Sequence, residues 1–209
     1  MAITYSRLKI KGEAIVVVFD ICSSSDIIEQ LILNGNMDQF FILLVKLKRY
    51  LAKAQKVIPF DPYKFVGDGW ILLFPANTNG KALLMFLRNL CVFFKKEFRK
   101  NVLHYLDKTP RVIGLTFGLE KGRLASMTMY GTTECVGRAL NIACRLQNGV
   151  GDKDKSPEYK ALGSNPLYQK YLKPVKGYRS VQVQRSLRNI QGGVNFRCRK
   201  IWLLSPLSL

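Results

Sequence analysis

The polarity pattern of the chain begins with an unbroken apolar run. Residues 13–21, EAIVVVFDI, are rich in β-branched side chains and lack the alternation of a half-exposed strand. They read as a strand buried on both sides that ends near Asp20. The polar CSSSD that follows supplies capping residues for a helix starting near Asp26, and helical spacing resumes from Met37 to Ala54 after an Asn-Gly-Asn break. YKFVGDGWILLF, residues 63–74, is a strand, a Gly-Asp-Gly turn and a second strand closing at Pro75. Residues 77–106 read as one long helix capped by Asn77 or Thr78. Residues 111–130 alternate like two strands joined by a tight turn at Glu120-Lys121-Gly122. GRALNIACRLQ (137–147) is a short amphipathic helix, 149–158 a polar surface loop, and NPLYQKYL (165–172) a helical turn or two. YRSVQVQ and FRCRKIWLL look like closing strands.

This order predicts an α+β fold, a mostly antiparallel sheet with helices packed on one face. The helix-free hairpin between two long helices argues against a doubly wound parallel sheet. No repeat or linker divides the chain, so residues 1–209 are expected to form a single domain with its core at about 12–204.

Composition narrows the function. With 209 residues, 48% hydrophobic and 22% charged, the chain can bury a core without disulfide or metal staples. Its apolar runs are far shorter than the roughly 18–20 residues that span a bilayer, so no membrane association is expected. Lys9, Lys11, Glu13 and Asp20 flank or interrupt the first apolar stretch, which is not the pattern of a signal peptide. Five scattered cysteines, none spaced C-x-x-C, read as reduced thiols and point to the cytoplasm. The net charge of +19 implies attraction to polyanions: nucleic acid, an acidic membrane surface or a phosphorylated small molecule. No nucleic-acid motif accompanies the basic residues, so a nucleic-acid partner is not required. A solvated basic surface accounts for the charge equally well.

Two aspartates carry the chemistry. Asp20 ends the first strand and Asp68 sits at the hairpin tip. In a βαββ unit these strands are neighbours, so both carboxylates can converge at one end of the sheet. Two hard oxygen ligands there suit Mg²⁺ or Mn²⁺ carrying a nucleotide's phosphates. The one histidine, His104, lies in a lysine-rich helix end and reads as a surface residue, so neither a zinc site nor a Ser-His-Asp triad is supported. Neither a Walker A motif nor G-x-G-x-x-G is present.

VVVFDI, YKFVGDGWILLF and YGTTECVGRALNIACRLQ, in that order, resemble the catalytic domain of class III nucleotidyl cyclases. That family carries an F-x-D-I strand end, a K-x-x-G-D hairpin and a G-x-x-[VL]-N-x-A-x-R helix. The resemblance covers roughly residues 12–204 and implies a ferredoxin-like βαββαβ cyclase homology domain. It implies that Asp20, Asp68 and the Ile21 carbonyl hold two divalent ions, Mg²⁺ or Mn²⁺. By the same resemblance Asn141 orients the ribose, Arg145 stabilises charge on phosphorus, and Lys64 and Glu134 read the base. Such proteins work as head-to-tail homodimers with the sites at the interface. One protomer gives the aspartates, and the other gives Lys64, Glu134, Asn141 and Arg145.

The departures bear on the substrate. Lysine at position 64 is what adenylate cyclases use, but Glu134 replaces their usual aspartate or threonine. A donor with an acceptor fits adenine and also the edges of uracil and cytosine. The arginine expected before GLTFG is displaced to Arg111, which is given no phosphate role. Arg188, Arg197 and Lys200 are left as candidates for a third triphosphate contact. The CSSS turn and the compact layout look most like the pyrimidine cyclases of bacterial anti-phage (Pycsar) systems. The expected product is then cyclic UMP or cyclic CMP, acting on a separate effector. The alternatives are a stand-alone adenylate cyclase and, in another class, a degenerate cyclase fold that only binds nucleotide or RNA.

Overall fold

The computed structural model describes residues 9–151 and 154–204. Its strands and main helices, in chain order, are β1 (Lys9–Ile21), α1 (Ser24–Leu33), α2 (Met37–Ala54), β2 (Asp61–Val66), β3 (Gly69–Pro75) and α3 (Gly80–Asn101). There follow β4 (Leu115–Met129), β5 (Thr132–Val136), α4 (Arg138–Asn148), β6 (Lys160–Ser164), β7 (Ser180–Arg185) and β8 (Phe196–Trp202). The strands form one eight-stranded sheet in the order β2-β3-β1-β4-β6-β8-β7, with β5 pairing β4 off this path. Among the described residues only the β4–β6 pairing is parallel. The β2-β3-β1-β4 half is the ferredoxin-like arrangement expected from the sequence.

β1 is apolar at every position from Ala14 to Phe19 because both of its faces are covered. Ile15, Val17, Phe19 and Ile21 pack with residues of α1, α2 and α3 in the main core. Val16 and Val18 turn the other way and pack with Ala139 and Ala143 of α4. α1, α2 and α3 therefore share one face, as expected, and α4 lies against the opposite one. Asp20, two residues beyond Val18 in an unbroken ladder, falls on the α4 face.

Three expectations need correction. β4 runs straight through Glu120-Lys121-Gly122 as one strand and turns only at Tyr130-Gly131, both at positive φ. Alternation is kept because each charged residue finds a partner on its own face. Glu120 accepts a hydrogen bond from Ser164 at 2.8 Å, and the Lys121 amine donates to the Tyr171 hydroxyl. The N-cap of α3 is Asn79, whose side chain accepts from the N–H groups of Lys81 and Ala82, so neither Asn77 nor Thr78 caps it. β5 and β6 were both missed: β5 is short and mostly polar, and β6, KALGS, is too short for a periodic signal.

α4 sits unusually close to β4. A Cβ built on Gly118 would lie 1.9 Å from the Ala143 carbonyl oxygen and 2.4 Å from the Gln147 nitrogen. Both are backbone atoms, so relief requires lifting the helix. Gly118→Ala is expected to destabilise the protein by about 3 kcal/mol or more, read as a lowered denaturant midpoint. A loss below about 1 kcal/mol would mean that α4 is not seated this tightly in solution.

Candidate active site

The β2–β3 connection is a two-residue turn with Gly67 at φ +77°, the conformation that suits glycine at the first turn position. The hairpin lies flat on β1 because Gly69 has no side chain: a Cβ there would lie 2.0 Å from the Phe19 carbonyl oxygen. That approach brings the Asp68 carboxylate against Asp20. Burial, reinforced by the facing Asp68 carboxylate, pushes the Asp20 carboxyl up from its ordinary 3.8 to about 7, against the pull of the Ile21 backbone N–H. The Asp68 Oδ2 atom is buried and has no hydrogen-bond partner. Two facing carboxylates, one with an orphaned oxygen, match a hard divalent cation, which would supply the missing charge. Among the described residues no group of three or more His, Cys, Asp or Glu side chains gathers that could hold a metal. A cleft of about 370 Å³ lined by Asp20, Cys22, Ser23, Thr116 and Gln147 opens beside the pair.

Lys64 and Glu134 also meet. The Lys64 amine donates to both Glu134 oxygens at 3.0 and 2.8 Å, which holds the glutamate below its ordinary value. A third residue completes the pair. The Tyr63 hydroxyl donates to Glu134 Oε2 at 2.8 Å and accepts from the Cys135 N–H at 2.6 Å. Burial above all pushes the Tyr63 phenol up to about 12, with the Cys135 N–H opposing and Glu134 adding to it, so it remains a donor at neutral pH. Adjacent residues of a regular strand point to opposite faces. A register shift between Asp61 and Lys64 in β2 lets both Tyr63 and Lys64 reach one carboxylate. The sequence reading missed Tyr63, because no spacing rule marks a bulge.

Asn141 and Arg145 occupy one exposed face of α4, four residues apart. No hydrogen bond or ion pair among the described residues links them to the aspartates or to the Lys64–Glu134 pair. Three groups of side chains are thus presented separately: the carboxylates, the Lys64–Glu134–Tyr63 cluster, and the α4 face.

No protein-family model and no curated protein matches the chain. Among solved structures it is similar to the adenylyl cyclase CyaB from P. aeruginosa, with a TM-score of 0.71 and 16% identity over 98% of this chain and 100% of that one. It is similar also to the monomeric guanylyl cyclase domain of a fusion protein from the aquatic fungus Blastocladiella emersonii, with a TM-score of 0.61 and 14% identity over 94% and 98% of the two chains. Against a bacterial light-regulated adenylyl cyclase the TM-score is 0.67 and the identity 15% over 92% of this chain, which spans about half (52%) of that one. The fold is that of cyclase catalytic domains.

Within this cyclase fold the remaining basic candidates separate. Lys200 shares a face with Cys198, which packs with α4, and so lies on the side of Asp20. Arg197 falls on the opposite face, and exposed Arg188 lies in the β7–β8 connection. Arg111 lines a separate pocket with Lys95, Arg99 and Glu158. His104 is exposed in a single 3₁₀ turn after α3. All five cysteines are free thiols, and among the described residues no helix is long and apolar enough to cross a membrane.

Two predictions follow from the geometry. Tyr63→Phe removes a donor from Glu134 and an acceptor from Cys135, and is expected to cost about 1–3 kcal/mol by chemical denaturation. A neutral result would detach Tyr63 from the cluster. For Asp20, the folded state holds an extra proton between pH 3.8 and about 7. Its contribution to stability therefore falls as pH rises through that window and is flat above it. Without divalent ions, Asp20→Asn should melt higher than wild type at pH 8 and level with it near pH 4. Mn²⁺ should raise the melting temperature of wild type alone. A lower-melting Asp20→Asn protein at pH 8 would contradict the facing carboxylates.

Proposed function

We propose that this protein is a class III nucleotidyl cyclase, converting a nucleoside triphosphate to its 3′,5′-cyclic monophosphate and pyrophosphate. The observation that carries the reading is the facing Asp20–Asp68 pair, with its orphaned oxygen, at the strand end of a cyclase fold. Asp20, Asp68 and the Ile21 carbonyl would hold two Mg²⁺ or Mn²⁺ ions. When bound, such ions make a ribose 3′-hydroxyl more acidic and neutralise triphosphate charge. Asn141 holds the ribose so that its 3′-oxygen lines up with the α-phosphorus. Arg145 places its guanidinium where charge develops as the bond to pyrophosphate breaks.

The separation of the three groups supports a two-fold dimer, in which the aspartates of one protomer work with Lys64, Glu134, Asn141 and Arg145 of the other. Exposed Phe65 and Val66 on edge strand β2, and fully exposed Tyr130 at the β4–β5 tip, supply apolar surface for such contact. In the free protein Lys64 and Glu134 satisfy one another, and a base with a complementary acceptor and donor would replace that bond. We take UTP and CTP as the substrates, on the likeness of the Cys22-Ser23-Ser24-Ser25 turn to that of the anti-phage pyrimidine cyclases. The product would then signal to a separate effector. A second reading, ATP as substrate, is favoured by the lysine at position 64.

Incubation with ATP, GTP, CTP and UTP separately in the presence of Mn²⁺, followed by mass analysis, is expected to give a cyclic pyrimidine nucleotide. Cyclic AMP formed much faster than either pyrimidine product would overturn the substrate and leave the activity. Arg145→Ala should lower turnover about 10²–10³-fold. Asp20→Asn and Asn141→Ala proteins should each be nearly inactive and recover activity when mixed. Absence of recovery despite subunit exchange would place the site within one chain.

A further inference from the structure

The outer surface of the helical layer joins two features that the site does not use. α2 and α3 lie side by side and antiparallel: Lys46 bonds Glu97 at 2.6 Å, and one turn farther along α2 the Tyr50 ring stacks on Phe93 at 4.5 Å. Phe40, Leu43, Leu47 and Leu51 of α2 turn into the core, as do Leu83, Leu87, Leu90 and Phe94 of α3. The opposite faces are exposed ridges at helical spacing. On α2 the ridge is Ile42, Val45, Arg49 and Lys53, continued just beyond the helix by Lys56. On α3 it is Lys81, Met85, Arg88, Val92, Lys96 and Arg99. Apolar and basic residues are thus interleaved, and Ile42, Val45, Met85 and Val92 are 40%, 46%, 48% and 52% exposed. The only acidic residues of the two helices are Asp38, in the first turn of α2, and Glu97, which is buried against Lys46.

The mixture selects the partner. Nucleic acid is gripped by cations with polar or stacking contacts, and gains nothing from exposed valine and methionine. An anionic bilayer meets both features, with cations among the headgroups and apolar side chains at the acyl boundary. Between the helices lies a cavity of about 450 Å³ walled by Tyr50, Ala54, Ile58, Ala82, Met85 and Phe86. It shares Lys53 and Met85 with the ridges, so an apolar space opens beside charge of the sign that a phospholipid headgroup needs. At 1.5 Å per residue the 22 residues of α3 give a strip about 33 Å long. Among the described residues no helix is long and apolar enough to cross a membrane, but adsorption to a surface needs no span. The layer carries none of the residues assigned to the proposed dimer contact.

We infer that the outer face of α2 and α3 docks on the surface of an anionic phospholipid bilayer. The basic ridge residues lie among the headgroups, while Val45, Met85 and Val92 reach the acyl boundary. Asp20 and α4 are on the opposite face of the sheet, so docking leaves the cleft beside Asp20 uncovered. The inference stands independently of the proposed activity.

Co-sedimentation of the full chain with vesicles tests this, using phosphatidylcholine alone and phosphatidylcholine mixed with an equal amount of phosphatidylserine. Wild type should bind the mixed vesicles at least about ten-fold more tightly than the neutral ones, and less tightly as salt rises. Replacing Arg49, Lys53 and Lys56 together by Gln should weaken that binding about ten-fold or more. Exposed Arg138, Lys155 and Arg188 lie outside the α2–α3 layer, and the same triple replacement there should change it less than about two-fold. Replacing Val45, Met85 and Val92 by Gln should weaken it several-fold with all charges kept. All nine positions are at least partly exposed, so the variants are expected to fold. Equal losses in the two charge variants would mean attraction to net charge alone and would overturn the inference. So would an undiminished affinity in the apolar variant, which is the behaviour of a polyelectrolyte contact such as one to nucleic acid. If the apolar variant instead sediments as a smaller assembly than wild type without vesicles, the face is covered by a second copy and the inference fails.

Discussion

Backbone reaching backbone, with no side chain between, is the constraint on which the site depends. Gly69 lets the β2–β3 hairpin meet β1 at Phe19, and Gly118 lets α4 settle onto β4. The first contact delivers Asp68 to Asp20. The second holds α4 at a depth where Ala139 and Ala143 pack on Val16 and Val18. A methyl group at either glycine would force these elements apart. β1 lies between the two contacts, and its continuous apolar run is the sequence record of being covered on both faces.

The legible parts of the fold were those with a strong local signal. β1, the Gly-Asp-Gly hairpin, α2 and α4 each follow from periodicity or turn chemistry within a dozen or so residues, and the pairing of Asp20 with Asp68 follows from them. Features that depend on partners distant in sequence were not legible. Glu120-Lys121-Gly122 has the composition of a turn, yet it stays extended because Ser164 and Tyr171 receive its charges from 44 and 50 residues away. Tyr63 joins Glu134 across 71 residues and only through a bulge. Asp154 meets Lys200 across 46 residues from within a stretch that reads as loop. Neither burial nor bulging of a polar residue leaves a periodic mark.

Acidic residues are scarce, 14 against 33 lysines and arginines, and the structure places them with economy. Asp20 and Asp68 face each other, Glu134 is held by Lys64 and Tyr63, Asp154 by two lysines, and Glu97 by Lys46 at 2.6 Å. The positive charge far exceeds the negative, and within that field the aspartate pair marks a local negative spot. On the proposed reading the two effects are complementary: the field gathers an anionic substrate, and the carboxylates take the cation that accompanies it.

The mutual bond between Lys64 and Glu134 has a thermodynamic consequence for recognition. If the pair reads the base as proposed, an entering base must break one charge-assisted contact to make two of its own, so the exchange is close to neutral. On that reading affinity for a nucleotide comes from its phosphates, while a mismatched base is rejected because it leaves a separated ion pair with no return.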